Sequence, residues 1–112
     1  MKKVGLVVEV KPECMEKYKQ LHVDVWPGVL EVLKKSYIQN YSIFIKEIPE
    51  HGIYLFSYFE YVGSNYTFDM AQVGAAPITQ KWWDECKPCL RPLKGVSIED
   101  CWARMEQVFN LQ

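Results

Sequence analysis

The run Ile53 to Tyr61 constrains this chain more than any other stretch. It reads as a β-strand rich in aromatic and branched residues. Alternation places Ile53, Leu55, Ser57, Phe59 and Tyr61 on one side and Tyr54, Phe56, Tyr58 and Glu60 on the other. Both sides are largely apolar or aromatic. An antiparallel sheet that packs helices on one face normally turns polar residues to water on the other. A strand with two apolar faces therefore needs two covers. Helices supply one. The simplest second cover is another copy of the same chain, which predicts a two-fold homodimer.

The remaining elements fall around this strand. Val4 to Val10 reads as a first strand, and Lys11-Pro12-Glu13 opens a helix with proline in its first turn. Cys14, Tyr18, Leu21 and Val25 recur at helical spacing, with His22 beside Leu21. Pro27 disfavours helix at Trp26, so a break is expected there before the pattern resumes through Val29, Leu30 and Leu33. Ile38 to Lys46 alternates as a second strand, with Tyr41, Ile43 and Ile45 sharing a face. The turn Pro49 to Gly52 joins it to Ile53–Tyr61 as a hairpin. Asn65 to Val73 and the segment from Pro77 to Pro88 read as helices, Arg91 to Ser97 as loop, and Trp102 to Leu111 as a closing strand. The order is β-α-β-β-α-β, an α+β fold of the ferredoxin-like type.

A chain of 112 residues is one domain, 1–112, with a core of its own. Its 49% hydrophobic and 24% charged residues place it among globular proteins and exclude disorder. The net charge of −1 is spread along the chain, with no basic stripe, which argues against a nucleic-acid partner. No apolar run approaches the roughly 20 residues of a membrane span, and the N-terminus lacks a secretory pattern. A cytoplasmic location is expected.

Four cysteines occur, two of them as Cys86-x-x-Cys89. A zinc site would need two more ligands at suitable spacing, and neither a second such pair nor a His-x-x-x-His is present. The motif does not sit in a thioredoxin-like context. Reduced structural thiols are the simpler reading, and no metal is expected.

Chemistry concentrates on few residues. His22 is one of only 2 histidines, and imidazole is the side chain best suited to proton transfer near neutral pH. Tyr18 lies one helical turn before it and Trp26 one turn after. A helix face turned to the sheet aims His22 toward the strand carrying Tyr41. A buried phenol needs a partner, so Tyr18 and Tyr41 are candidates to hold a substrate hydroxyl. Adjacent helical residues point about 100° apart, so Trp82 and Trp83 cannot pack alike; one is expected in the core and the other at a pocket or interface. Aromatic faces suit the C–H face of a sugar. His51 lies in a polar turn, and Glu31, Asp69 and Asp84 read as surface charges.

With these residues in view, the chain resembles the L-rhamnose mutarotases, small sugar 1-epimerases. The likeness runs essentially end to end through Tyr18-x-x-x-His22, Trp26-Pro27 with Glu31 and Leu33, Asn40-Tyr41-Ser42-Ile43, Trp82-Trp83 and the closing Glu106 to Leu111. The resemblance implies a dimeric ferredoxin-like α+β barrel. It implies His22 as the catalytic proton donor and Tyr18, Tyr41, Trp82 and Trp83 as substrate contacts. It implies a small-molecule sugar as partner and no cofactor, since exchanging α and β anomers needs only an acid and a base. Gly63 to Thr79 and Cys86 to Gly95 depart from the family's pattern, and both border the tryptophan doublet. L-Fucose therefore stands beside L-rhamnose as a substrate. A cofactor-free monooxygenase or haem-degrading enzyme on the same barrel, and a non-catalytic sugar-binding module, are the rival readings.

Overall fold

Strand β1 (Lys2–Val10) owes its central place to its branched residues: Val4, Val8 and Val10 are all buried. A computed structural model describes residues 1–112 and shows β1 paired antiparallel along its whole length with β3 (Gly52–Tyr61). On the far side of β3 lies β2 (Ile38–Ile48), joined to it by the expected tight turn. The other flank of β1 carries two short pieces, β4 (Leu90–Arg91) and β5 (Ala103–Met105). The sheet order is β2-β3-β1-β4, with β5 also on β1. This is the ferredoxin-like arrangement, with its last strand divided in two by the segment 92–102.

Four α-helices cover one face. Pro12 to Cys14 forms a single 3-10 turn that leads into α1 (Met15–Val23). The expected break follows: Trp26 is extended, as a residue before proline should be, and Pro27 begins α2 (Pro27–Lys35). The Asn65 side chain accepts from the Phe68 amide and starts α3 (Tyr66–Ala75). A second proline begins α4 (Pro77–Cys86). The largest core cluster gathers Val8, Val10, Ile53 and Leu55 of the sheet with Tyr18, Val29 and Trp82 of the helices.

Two expectations need correction. The closing strand Trp102–Leu111 is only Ala103–Met105. Val108 and Phe109 are adjacent, so a continued strand would turn them to opposite sides, and the chain holds nothing to cover both. They stay 89% and 76% exposed. The first helix also stops at Val23, although Val25 still packs on the core from the linker.

Strand β2 contains a β-bulge that strict alternation does not anticipate. Gln39 pairs with Glu60 and Ser42 with Tyr58, so Phe59 alone opposes both Asn40 and Tyr41. The extra residue is accommodated at Asn40, whose φ of 51° lies in the left-handed region that asparagine tolerates. The bulge lets Ile38 and Tyr41 share the helix-covered face, which their three-residue spacing would otherwise forbid. Glu60 holds the kink by accepting from Asn40 Nδ2 at 2.8 Å and Gln39 Nε2 at 3.1 Å.

Candidate functional site

α1 turns Tyr18 and His22 to the same side because they are one helical turn apart. The two rings stack with centroids 4.3 Å apart and planes 24° from parallel. Trp82 of α4 meets the His22 imidazole edge-on at 5.2 Å. Trp26, held at the α1–α2 break, packs edge-on against Trp82 at 5.1 Å. A phenol and one indole thus wall the imidazole, and a second indole backs the first. The structure brings Tyr18, His22 and Trp82 together.

The protonation of His22 follows from its partner. Nδ1 lies 2.9 Å from the Tyr18 carbonyl oxygen. A carbonyl only accepts, so Nδ1 carries a proton and donates it. In the neutral ring Nε2 then bears a lone pair. Burial lowers the pKa of His22 below its ordinary value, and the bond to Tyr18 opposes this only in part. The ring at neutral pH is therefore a poised base with its orientation locked at the opposite nitrogen.

Tyr41 joins the group from the sheet. Its ring tilts against Phe59 at 5.4 Å. Burial of the phenol, with a smaller contribution from Cys86, pushes its pKa up to about 12. The residue as a whole is 42% exposed. Burial likewise drives the Tyr18 phenol far above its usual range, with Cys86 and then Tyr41 adding to the effect. Both phenols remain O–H donors at neutral pH. The sealed side-chain oxygen without a partner is Thr79 Oγ1, one turn before Trp82 and Trp83 on α4.

Trp83 goes elsewhere. Trp82 is buried, whereas Trp83 is half-buried, lies over Gly74 of α3 and carries the Lys87 ammonium 4.5 Å above its ring. The doublet thus splits as its 100° geometry requires, with Trp82 on the imidazole and Trp83 on the neighbouring helix. The carboxylates set aside as surface charges are engaged in structure: Glu31 pairs with Lys35 at 2.7 Å, and Asp69 accepts from the Tyr61 hydroxyl. No group of three or more metal-ligating side chains is assembled.

Sequence reasoning did not single out Phe59 or the Asn40–Glu60 pair that shapes the bulge. The available signal was an asparagine inside an otherwise β-forming run, a residue type that marks left-handed backbone. Two cavities, of about 790 and about 470 Å³, lie along the C-terminal tail instead. Neither is lined by Tyr18, His22, Tyr41, Trp82 or Trp83.

Comparison with known proteins agrees with this picture. The sequence profile of the L-rhamnose mutarotase family matches residues 3–111. The L-rhamnose mutarotase of Bacillus subtilis is 34% identical over 91 residues, covering 81% of this chain and 82% of that protein. That of Oceanobacillus iheyensis is 33% identical over the same span and coverage. Among solved structures, the L-rhamnose mutarotase of Formosa agariphila superposes with a TM-score of 0.75 at 21% identity over 100% of both chains. Tetracenomycin F2 cyclase, a type-II polyketide cyclase from Streptomyces glaucescens, follows with 0.62 at 13% identity, again over 100% of both chains. At those identities the two structures establish the shared fold alone. With a family profile spanning nearly its whole length and relatives a third identical over four-fifths of it, the chain belongs to the L-rhamnose mutarotase family.

Proposed function

We propose that this chain is an isomerase that exchanges the α and β pyranose anomers of L-rhamnose, with His22 moving the protons. The observation that carries the reading is the His22 bond to the Tyr18 carbonyl, which leaves Nε2 as the free base. The names of the curated relatives support the substrate.

The chemistry requires only proton transfers. Nε2 takes the proton of the anomeric hydroxyl as the bond from C1 to the ring oxygen breaks. The ring oxygen receives a proton, and an open aldehyde results. Rotation about C1–C2 and closure on the other face give the second anomer. Both oxygens are bonded to the same carbon, so one imidazole reaches each in turn. Tyr18 and Tyr41 orient sugar hydroxyls as donors. Trp82 meets the imidazole edge-on and walls the site, and its indole offers apolar surface toward the C6 methyl. Such a methyl preference is worth about 1–3 kcal/mol.

The test is saturation-transfer NMR of anomer exchange on L-rhamnose, with L-fucose alongside. His22→Ala should keep the fold and slow exchange by about 10²–10⁴-fold. Exchange unchanged in that variant overturns His22 as the catalyst. Binding without any exchange in the wild-type protein points to a sugar-binding module.

The proposal includes a homodimer in a cytoplasmic setting. Phe44, Phe56, Val7 and Ala103 form one cross-strand row on the face away from the helices, by register. Phe44 at its edge is 65% exposed. A second copy, sheet to sheet, is the cover we infer. No helix is long and apolar enough to cross a membrane, and four free thiols suit a reducing compartment.

A further inference from the structure

The four cysteines, at positions 14, 86, 89 and 101, all belong to or border one core cluster. Cys86, Cys89 and Cys101 are buried in the main core cluster, and Cys14 packs against it from the start of α1. The fold offers a pairing besides the one the Cys86-x-x-Cys89 spacing advertises. The Lys11 amide donates to the Cys89 carbonyl at 2.9 Å, and the Cys14 amide donates to the Lys11 carbonyl at 2.9 Å. The Lys11 ammonium closes the same junction by donating to the Pro88 carbonyl at 2.9 Å. This ladder holds the two backbones together and brings Cys14 to the segment that carries Cys89. Cys14 is partly exposed, while Cys89 is only 1% exposed. The pair therefore has an outer thiol that a small oxidant reaches and an inner thiol behind it.

We propose that Cys14 and Cys89 form a reversible dithiol–disulfide modification site whose oxidant is a peroxide. The thiolate of Cys14 attacks one peroxide oxygen and the O–O bond breaks. Hydroxide leaves, and Cys14 becomes a sulfenic acid. Cys89 sulfur then attacks the Cys14 sulfur. An S–S bond forms, the S–O bond breaks, and the departing hydroxide takes up the Cys89 proton as water. Two thiols lose two electrons and two protons, and one hydrogen peroxide becomes two waters. A dithiol reductant reverses the bond. The bridge clamps the 3-10 turn that leads into α1 to the segment that follows α4, and these two helices carry His22 and Trp82. It rests on no assignment of the sugar site.

The experiment treats the intact protein with hydrogen peroxide and reads its mass, its free thiols after denaturation and its tryptic map. The expected result is a loss of about 2 Da and a fall from four free thiols to two, reversed by dithiothreitol. Lys87 and Arg91 both precede proline, so trypsin leaves Cys86 and Cys89 on one peptide. Fragmentation between them should place the link on Cys89. Cys14→Ala should abolish the mass loss, and Cys86→Ala should retain it. A link between Cys86 and Cys89, a mass loss that survives in Cys14→Ala, or oxidation that stops at added oxygen without a bridge overturns the proposal. The map on the unmodified chain decides the matter even where a variant folds poorly.

Discussion

The two faces of β3 are close in apolar character and opposite in fate. Ile53, Leu55, Ser57, Phe59 and Tyr61 are buried beneath helices, while Tyr54, Phe56, Tyr58 and Glu60 stay half-buried. On the inner face, side chains from distant elements lock one another: Tyr41 against Phe59, and Trp82 against His22 and Trp26. On the outer face, neighbours come mainly from the same sheet, and Phe44 stands free. The tail beyond β5 crosses this side with Lys3 donating to Asn110, yet Phe109 and Leu111 remain exposed. Apolar character therefore does not itself order a surface. Order comes where a second layer supplies the contacts, and on the outer face this chain supplies only its C-terminal tail.

The most damaging test of the inner face is Trp82→Ala, which should cost about 3–5 kcal/mol in chemical denaturation because a buried indole leaves a cavity. Trp83→Ala, at a half-buried site, should cost well under half as much. Equal losses would dissolve the distinction between the two indoles. Asn40→Val should cost about 1–3 kcal/mol, because a β-branched residue resists the left-handed backbone of the bulge. Asn40→Gly should lose less, and a valine variant of wild-type stability would show that the bulge is not held by residue 40. On the outer face, Phe44→Glu should leave the stability of the monomer within about 0.5 kcal/mol. It should weaken self-association by at least tenfold in sedimentation equilibrium. A wild-type chain that is monomeric at micromolar concentration would remove the outer cover altogether.

The smallest effect expected is in pH. Burial lowers the His22 pKa in the folded protein, so the unfolded chain binds a proton there more readily. The contribution of the neutral ring to stability is complete above the ordinary histidine value near 6.5. It is lost as pH falls through the lowered folded value. Anomer exchange should follow the same direction, holding level through neutrality and declining only below about 6.5. A decline that begins above that value would contradict a buried, neutral imidazole.

Much of this architecture was readable from side-chain pattern. Pro12, Pro27 and Pro77 mark three helical starts, and Asn65 caps a fourth. The pairing of Tyr18 with His22 needed only a helical period. The tautomer was not readable, because it depends on where a backbone carbonyl lies. The bulge was marked only by the asparagine at position 40, and strict alternation, which already put Tyr41 with Ile43, hid the extra residue. The closing strand was overextended because Val108, Phe109 and Leu111 look like strand residues until their cover is sought.

By itself, the order of apolar and breaking residues determined the succession of strands and helices and the short set of residues fit for proton chemistry. These are local properties, written in periods of two and of 3.6 residues. Only the tertiary structure decided that Trp82 rather than Trp83 meets the imidazole, and that Cys89 neighbours Cys14 across the molecule. It alone showed which nitrogen of His22 is free. Such outcomes depend on distances between segments far apart in the chain, and no local period encodes them.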